Sequence, residues 1–306
     1  MRTWSPLSVC LLHLLLSRPL SSLLTSPCGN PAASVTSASV FPRVVGGHVT
    51  SAEYFPWTVA IHDWLTNNIV CGGAILTEHL VITAAHCFHG HPQASLYYIM
   101  AGKSKLLEYE SWQQMTFIDQ IIMHEGFNAS SYENDIALVR VKTPFTLQTP
   151  TVRPVCFPAS THTLPAGTLC YLAGFGDTLG TGTDEVLNYM RVPVIEDEVC
   201  ARQDFHGVDF SPAGTFCAGY VNGGPDACTG DSGSGLVTKH TDGLFYVYGV
   251  SSWGSGCGEA RRPGVYTDVL HYISWVYGKF LIFNRNLPFV GRAFQSRVRY
   301  KFHHQP

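Results

Sequence analysis

Short runs of β-branched and aromatic residues, each closed off by Gly, Pro, Asn or Asp, constrain this chain more than any other feature. They fall at Trp57–Ile61, Gly73–Leu76, Leu80–Thr83, Ile136–Val141, Leu169–Ala173, Phe245–Ser251 and Val265–Thr267. Such residues suit a pleated, half-buried surface, and many short strands with frequent turns pack as a barrel or a sandwich. The 29 glycines and 18 prolines supply the turns. The period changes only near the end, where Val269, Ile273, Val276 and Phe280 recur at helical spacing and predict one C-terminal helix. The expected class is therefore all-β with a C-terminal α-helix, and 306 residues suffice for one large domain or two small ones.

Charge and hydropathy narrow the function. With 45% hydrophobic residues the chain is neither disordered nor collagen-like, and a net charge of −3 lacks the basic footprint of a nucleic-acid binder. No apolar run of 18 residues occurs, so no transmembrane helix is expected. Arg2 followed by the apolar stretch Leu7–Leu16, broken only by His13, predicts a secretory signal peptide over 1–22, with a buried helix as the competing reading. Ten cysteines agree with an oxidising compartment, extracellular or a secretory granule; nine remain once Cys10 leaves with the leader. None stands in a C-x-x-C, so disulfides rather than zinc or thioredoxin-type chemistry are expected. Pro27 to Pro42 is rich in Ser, Ala, Pro and Thr and reads as an exposed linker.

The chemistry lies in three separated segments. Gly230-Asp231-Ser232-Gly233 presents a serine between glycines, where bare backbone lets a substrate carbonyl approach both the hydroxyl and nearby N–H groups. Thr83-Ala84-Ala85-His86-Cys87 follows a strand with a histidine, and Asn134-Asp135-Ile136-Ala137-Leu138 opens another with an aspartate. A serine hydroxyl needs a base, and that imidazole needs a carboxylate to fix its tautomer, so the three residue types form one nucleophilic unit.

In this order and with two further motifs, Arg43-Val44-Val45-Gly46-Gly47 and Ser251-Ser252-Trp253-Gly254, the chain resembles a trypsin-like serine protease of the chymotrypsin family from about Arg43 to Phe280. The resemblance implies two antiparallel six-stranded β-barrels with the site between them. His86 would be general base and acid, Asp135 its orienter and Ser232 the nucleophile, with the N–H groups of Gly230 and Ser232 as oxyanion hole. Asp226 would lie at the floor of the S1 pocket between Gly254 and Gly264, selecting substrates with Arg or Lys at P1. Ala227 offers no extra hydroxyl to an ammonium, which tilts the preference to Arg. Ser252 and Trp253 would contact substrate, and Tyr132 would line S2. Cleavage after Arg43 would free Val44 to pair with Asp231 and switch on an inactive precursor. The organisation implied is a propeptide or light chain over 23–43, a peptidase domain over 44–280 and a basic tail over 281–306.

The same resemblance implies the disulfides Cys71 with Cys87, Cys200 with Cys217, Cys228 with Cys257, and Cys28 with Cys156. Cys170 is left over because Thr238 stands where its partner would be; it is a buried thiol or bonds outside the chain. A tethered light chain with a basic extension is similar to acrosin and related sperm proteases. Two departures stand out. Ser234-Gly235 follows the nucleophile where the family has Gly-Pro, which leaves an inactive homologue acting as a binding module as the rival reading. Lys103 stands near an expected calcium ligand, and His86, His89 and His91 do not read as a metal site, so neither metal nor cofactor is expected. Asn128-Ala129-Ser130 is a glycosylation sequon. The tail cations Arg285, Arg292, Arg297, Arg299 and Lys301, with no acid among them, predict polyanion binding.

Overall fold

The computed structural model describes residues 27–33, 48–176, 185–228 and 230–285. The leader, residues 34–47 with Arg43 and Val44, and the tail beyond Arg285 lie outside them.

Twelve of the thirteen strands among the described residues close into two six-stranded barrels. The first takes β2 (Thr58–Asp63), β3 (Ile69–Thr77), β4 (Leu80–Thr83), β5 (Tyr97–Ala101), β6 (Gln114–Met123) and β7 (Ala137–Val141) in the order β2-β3-β4-β7-β6-β5. The second takes β8 (Leu169–Gly174), β9 (Asn188–Ile195), β10 (Thr215–Ala218), β11 (Gly235–Lys239), β12 (Phe245–Trp253) and β13 (Gly264–Asp268) in the order β9-β10-β13-β12-β11-β8. The β8–β9 ladder closes this ring, and the short β1 (His48–Val49) pairs with β9 at Tyr189 and Asn188. All ladders are antiparallel, as runs joined by short turns require. Closure leaves few free strand edges.

The β-branched runs fill both interiors. Val59, Ile61, Ile75, Ile82, Ile99 and Leu138 are buried in the first barrel, and Leu172, Val192, Phe216, Leu236 and Tyr266 in the second. Among the described residues four disulfides staple the fold, Cys28–Cys156, Cys71–Cys87, Cys200–Cys217 and Cys228–Cys257, while Cys170 is a buried free thiol. Burial pushes the Cys170 thiol up to about 12, so it stays protonated and inert at neutral pH. A helical turn, α1 (Asp197–Cys200), precedes β10, and α2 (Ile273–Arg285) closes the chain.

α2 differs from the expected boundary. It runs five residues past Phe280, because Phe283 is only 5% exposed and its ring sits 5.4 Å from the Arg140 guanidinium on β7. The helix is also tied to the first barrel by Glu125, which accepts from Trp275 Nε1 at 2.9 Å and pairs with Lys279. That pairing draws the Glu125 carboxyl down to about 2.

Candidate functional site

Strand register brings the histidine to the aspartate. Thr83 on β4 stands opposite Ala137 on β7, so the chain leaving β4 meets the chain entering β7, and His86 lies against Asp135. Asp135 has no solvent exposure, yet every acceptor is used. Its Oδ1 takes the His86 N–H at 2.8 Å, while its Oδ2 takes His86 Nδ1 at 2.7 Å and the Ser252 hydroxyl at 2.5 Å. A buried carboxylate is tolerable only when satisfied in this way. With Nδ1–H given to Asp135, the lone pair of the imidazole is on Nε2, and the His86 ring is 19% exposed at the cleft. The Tyr132 ring stands edge-on to it at 5.6 Å.

The serine is carried by a turn wedged between the barrels. Gly230 has φ +96° and Gly233 φ +79°, values that a side chain would strain. A Cβ on Gly233 would also fall 2.2 Å from Thr83 Oγ1 and 3.2 Å from Cys87 Sγ. The Ser232 carbonyl accepts the Gly72 N–H at 2.7 Å, and the Gly233 N–H donates to the Ser251 carbonyl at 2.8 Å. Gly72 follows Cys71, whose disulfide partner Cys87 follows His86. One disulfide and one hydrogen bond thus bring the serine turn to the histidine segment. Among the described residues, the N–H groups of Gly230 and Ser232 take no hydrogen-bond partner.

Asp231 is 9% exposed; its Oδ1 accepts the Gly176 N–H at 3.0 Å and its Oδ2 the Cys228 N–H at 3.2 Å. Ser234 is accommodated by glycines: a Cβ on Gly72 would lie 2.0 Å from its Oγ. The turn is intact, with the Ser234 N–H bonded to the Asp231 carbonyl at 3.0 Å, but the Ser234 hydroxyl is buried without a partner.

Asp226 is partly buried, two residues before Cys228, whose N–H bonds Asp231. Its Oδ1 accepts the Ala227 N–H at 2.9 Å and its Oδ2 the Gly258 N–H at 3.2 Å, and the Cys228–Cys257 disulfide ties the two segments. A Cβ on Gly264 would stand 3.0 Å from Asp226 Oδ1, and one on Gly254 would have nothing nearer than 3.8 Å. A side chain at Gly264 would therefore crowd this carboxylate, whereas Gly254 has room beside it. Burial pushes that carboxyl up to about 6. Trp253 packs edge-on to His206 at 4.9 Å, and His206 Nε2 bonds the Pro263 carbonyl at 2.7 Å, next to the Gly264 wall.

The sequence reading missed several supporting residues. Ser252, expected at the substrate, turns its hydroxyl onto Asp135 instead, and Thr267 Oγ1 donates to the Asp135 carbonyl at 2.7 Å. His206 carried no local signal. Gly72-Gly73 beside Cys71 did carry one, since paired glycines in a strand mark close backbone approach. Two groups among the described residues have ligand-like spacing, Cys71/His86/Cys87 and Cys200/His206/Cys217, and their thiols are consumed by disulfides. Lys103 instead fills its loop, donating to Gln113 Oε1 at 2.9 Å and to the Glu108 carbonyl. Asn128 is exposed. No helix among the described residues is long and apolar enough to cross a membrane.

Two closed six-stranded barrels, with a His–Asp pair and a glycine-flanked serine at their junction, define the chymotrypsin-like class of serine proteases. The trypsin family model matches residues 44–276, and the chain belongs to that family. It is 36% identical over 245 residues to coagulation factor XII of Sus scrofa, covering 76% of this chain and 39% of that protein. It is 34% identical over 268 residues to serine protease 56 of Mus musculus, covering 85% of this chain and 43% of that protein. The chain spans about two fifths of the length of these relatives.

Proposed function

We propose that this serine protease is a secreted endopeptidase, made as a zymogen cleaved after Arg43, that hydrolyses peptide bonds after Arg and, less readily, Lys. The observation that carries the specificity is Asp226, a desolvated carboxylate reached between Gly254 and Gly264. A guanidinium bonds such a carboxylate through two parallel N–H groups, while an ammonium supplies a point charge and finds no hydroxyl at Ala227.

In the proposed mechanism His86 Nε2 takes the proton of Ser232 Oγ as the oxygen attacks the scissile carbonyl. Asp135 holds the ring and stabilises the imidazolium, and the Gly230 and Ser232 N–H groups bind the oxyanion. His86 then protonates the leaving amine, and water repeats the cycle on the acyl-enzyme. Liberation of the Val44 amine, paired with Asp231, would order this turn. The test is a peptide library offered to chain cleaved after Arg43. Cleavage confined to bonds after Arg and Lys, and lost in Ser232→Ala, supports the reading; cleavage after apolar residues overturns the assigned specificity.

One observation favours a second reading. The partnerless Ser234 hydroxyl is a local cost beside the nucleophile, and a catalytically weak homologue acting as a binding module would tolerate it. Turnover in the same assay decides between them. The basic residues beyond Arg285 are proposed to bind polyanions, with retention on heparin that weakens steeply as salt rises.

A further inference from the structure

The loop from His124 to Asn134 packs beside His86 and is anchored twice on the histidine segment. Tyr132 meets His86 at 5.6 Å, and Phe127 meets His89 at 5.8 Å between ring centroids. It is also closed on itself. The Phe127 N–H donates to the His124 carbonyl at 3.0 Å, the Asn128 N–H to the Glu133 carbonyl at 3.0 Å, and Asn134 Nδ2 to the Gly126 carbonyl at 2.9 Å. From the residue just before α2, the Tyr272 hydroxyl donates to Asn134 Oδ1 at 3.0 Å. Tyr132 and Asn134 both sit at φ +56°, a conformation that costs a tyrosine on the order of 1–3 kcal/mol and persists only where its surroundings hold it. The loop therefore has one shape.

Asn128-Ala129-Ser130 is at its tip. Asn128 is exposed, and its Oδ1 accepts the Ser130 N–H at 2.9 Å, which leaves Nδ2 without a partner among the described residues. Asn128 bridges Glu133 in antiparallel register, and Glu133 is the neighbour of Tyr132. One cross-strand step plus one residue puts the Asn128 backbone within about 10 Å of the Tyr132 backbone.

We propose that Asn128 carries an N-linked glycan and that this glycan, fixed beside the Tyr132 wall, acts as a size filter. Extended peptides reach His86 and Ser232, while folded proteins and rigid inhibitors that must lie against this wall are held off. The proposal rests on the peptidase reading and on passage through the secretory pathway. Attachment forms a bond from Asn128 Nδ2 to the anomeric carbon of a lipid-linked oligosaccharide diphosphate. It breaks that carbon's bond to the diphosphate, which leaves with the electron pair, and releases one amide proton.

The test uses the full chain from a secretory host, cleaved after Arg43, beside Asn128→Gln and Ser130→Ala. The second variant keeps the Asn128 hydrogen bond, which goes to the backbone of residue 130. Mass before and after peptide N-glycosidase reports the glycan. Hydrolysis of a short Arg peptide by forms that keep Ser232, and the Kd of a Kunitz-type inhibitor for the same forms on a Ser232→Ala background, report the filter. A glycosidase-sensitive mass is expected, with peptide kcat/KM within about twofold in all forms and an inhibitor Kd about tenfold tighter in both variants, equivalent to about 1.4 kcal/mol. An unmodified Asn128, an unchanged inhibitor Kd, or a peptide rate that moves in step with inhibitor affinity would each overturn it. If no form cleaves the peptide, the peptidase reading fails, and the mass and the inhibitor Kd still decide the filter.

Discussion

Asp226 gives the sharpest quantitative test of the proposed specificity for Arg and Lys. Burial raises its carboxyl from an ordinary 3.8 to about 6, against the opposing pull of the Gly258, Ala227 and Gly264 N–H groups. A rise of that size means the carboxylate, with no cation beside it, is disfavoured by about 3 kcal/mol. The native carboxyl keeps its proton where the unfolded one has lost it, so this group lowers stability as pH climbs from 3.8 to about 6. A bound cation needs the ionised form, and its affinity should therefore fall as pH drops through about 6, by about tenfold at pH 5. The assay is calorimetric titration of Ser232→Ala with benzamidinium from pH 8 to 5, with neutral benzamide alongside. Asp226→Ser should weaken the cation at pH 8 by about 2–5 kcal/mol and abolish the pH dependence. A cation affinity that stays flat to pH 5, or that falls no faster than that of benzamide, would refute the reasoning.

Other expectations follow from the same contacts. Ser252→Ala removes a donor to the buried Asp135 carboxylate and should lower kcat/KM about tenfold with little change in KM, as steady-state kinetics would show. Ser234→Ala deletes a buried hydroxyl that has no partner; a gain of about 1 kcal/mol, seen as a melting temperature about 2–4 °C higher, is expected with peptide turnover unchanged. Ending the chain after Phe280 should cost about 3–5 kcal/mol through loss of buried Phe283, whereas ending it after Arg285 should leave thermal melting unaltered and abolish heparin retention. Equal heparin elution of the latter and the full chain would remove the tail as a binding element.

The strands that sequence pattern exposes are the ones whose side chains alone explain them. Leu80–Thr83 is buried throughout and coincides with β4, and Phe245–Ser251 forms most of β12. β6 was illegible because Asp119 and Gln120 interrupt its apolar pattern; the structure pairs Asp119 with Arg140 on the neighbouring β7, a contact no local window contains. β11 was hidden because it starts at Gly235, directly behind the serine motif, and takes its strand character from pairing with β12 and β8. The helix end was misplaced because the reason for residues 281–285 to stay helical lies on β7 and in Glu125. The serine, histidine and aspartate were legible as motifs. Their hydrogen-bond partners were not: Gly72, Thr267 and the Ser252 hydroxyl act through contacts made only when the barrels meet.

The claim that a base-activated serine operates at the barrel junction is tested most directly by covalent labelling. Chain cleaved after Arg43 is treated with a fluorophosphonate and digested, and the modified residue is located by mass. One label per chain on Ser232 is expected, blocked by benzamidinium and absent from His86→Ala and from uncleaved chain. Cleaved chain that stays unlabelled, or that carries the label on another residue, would contradict the account.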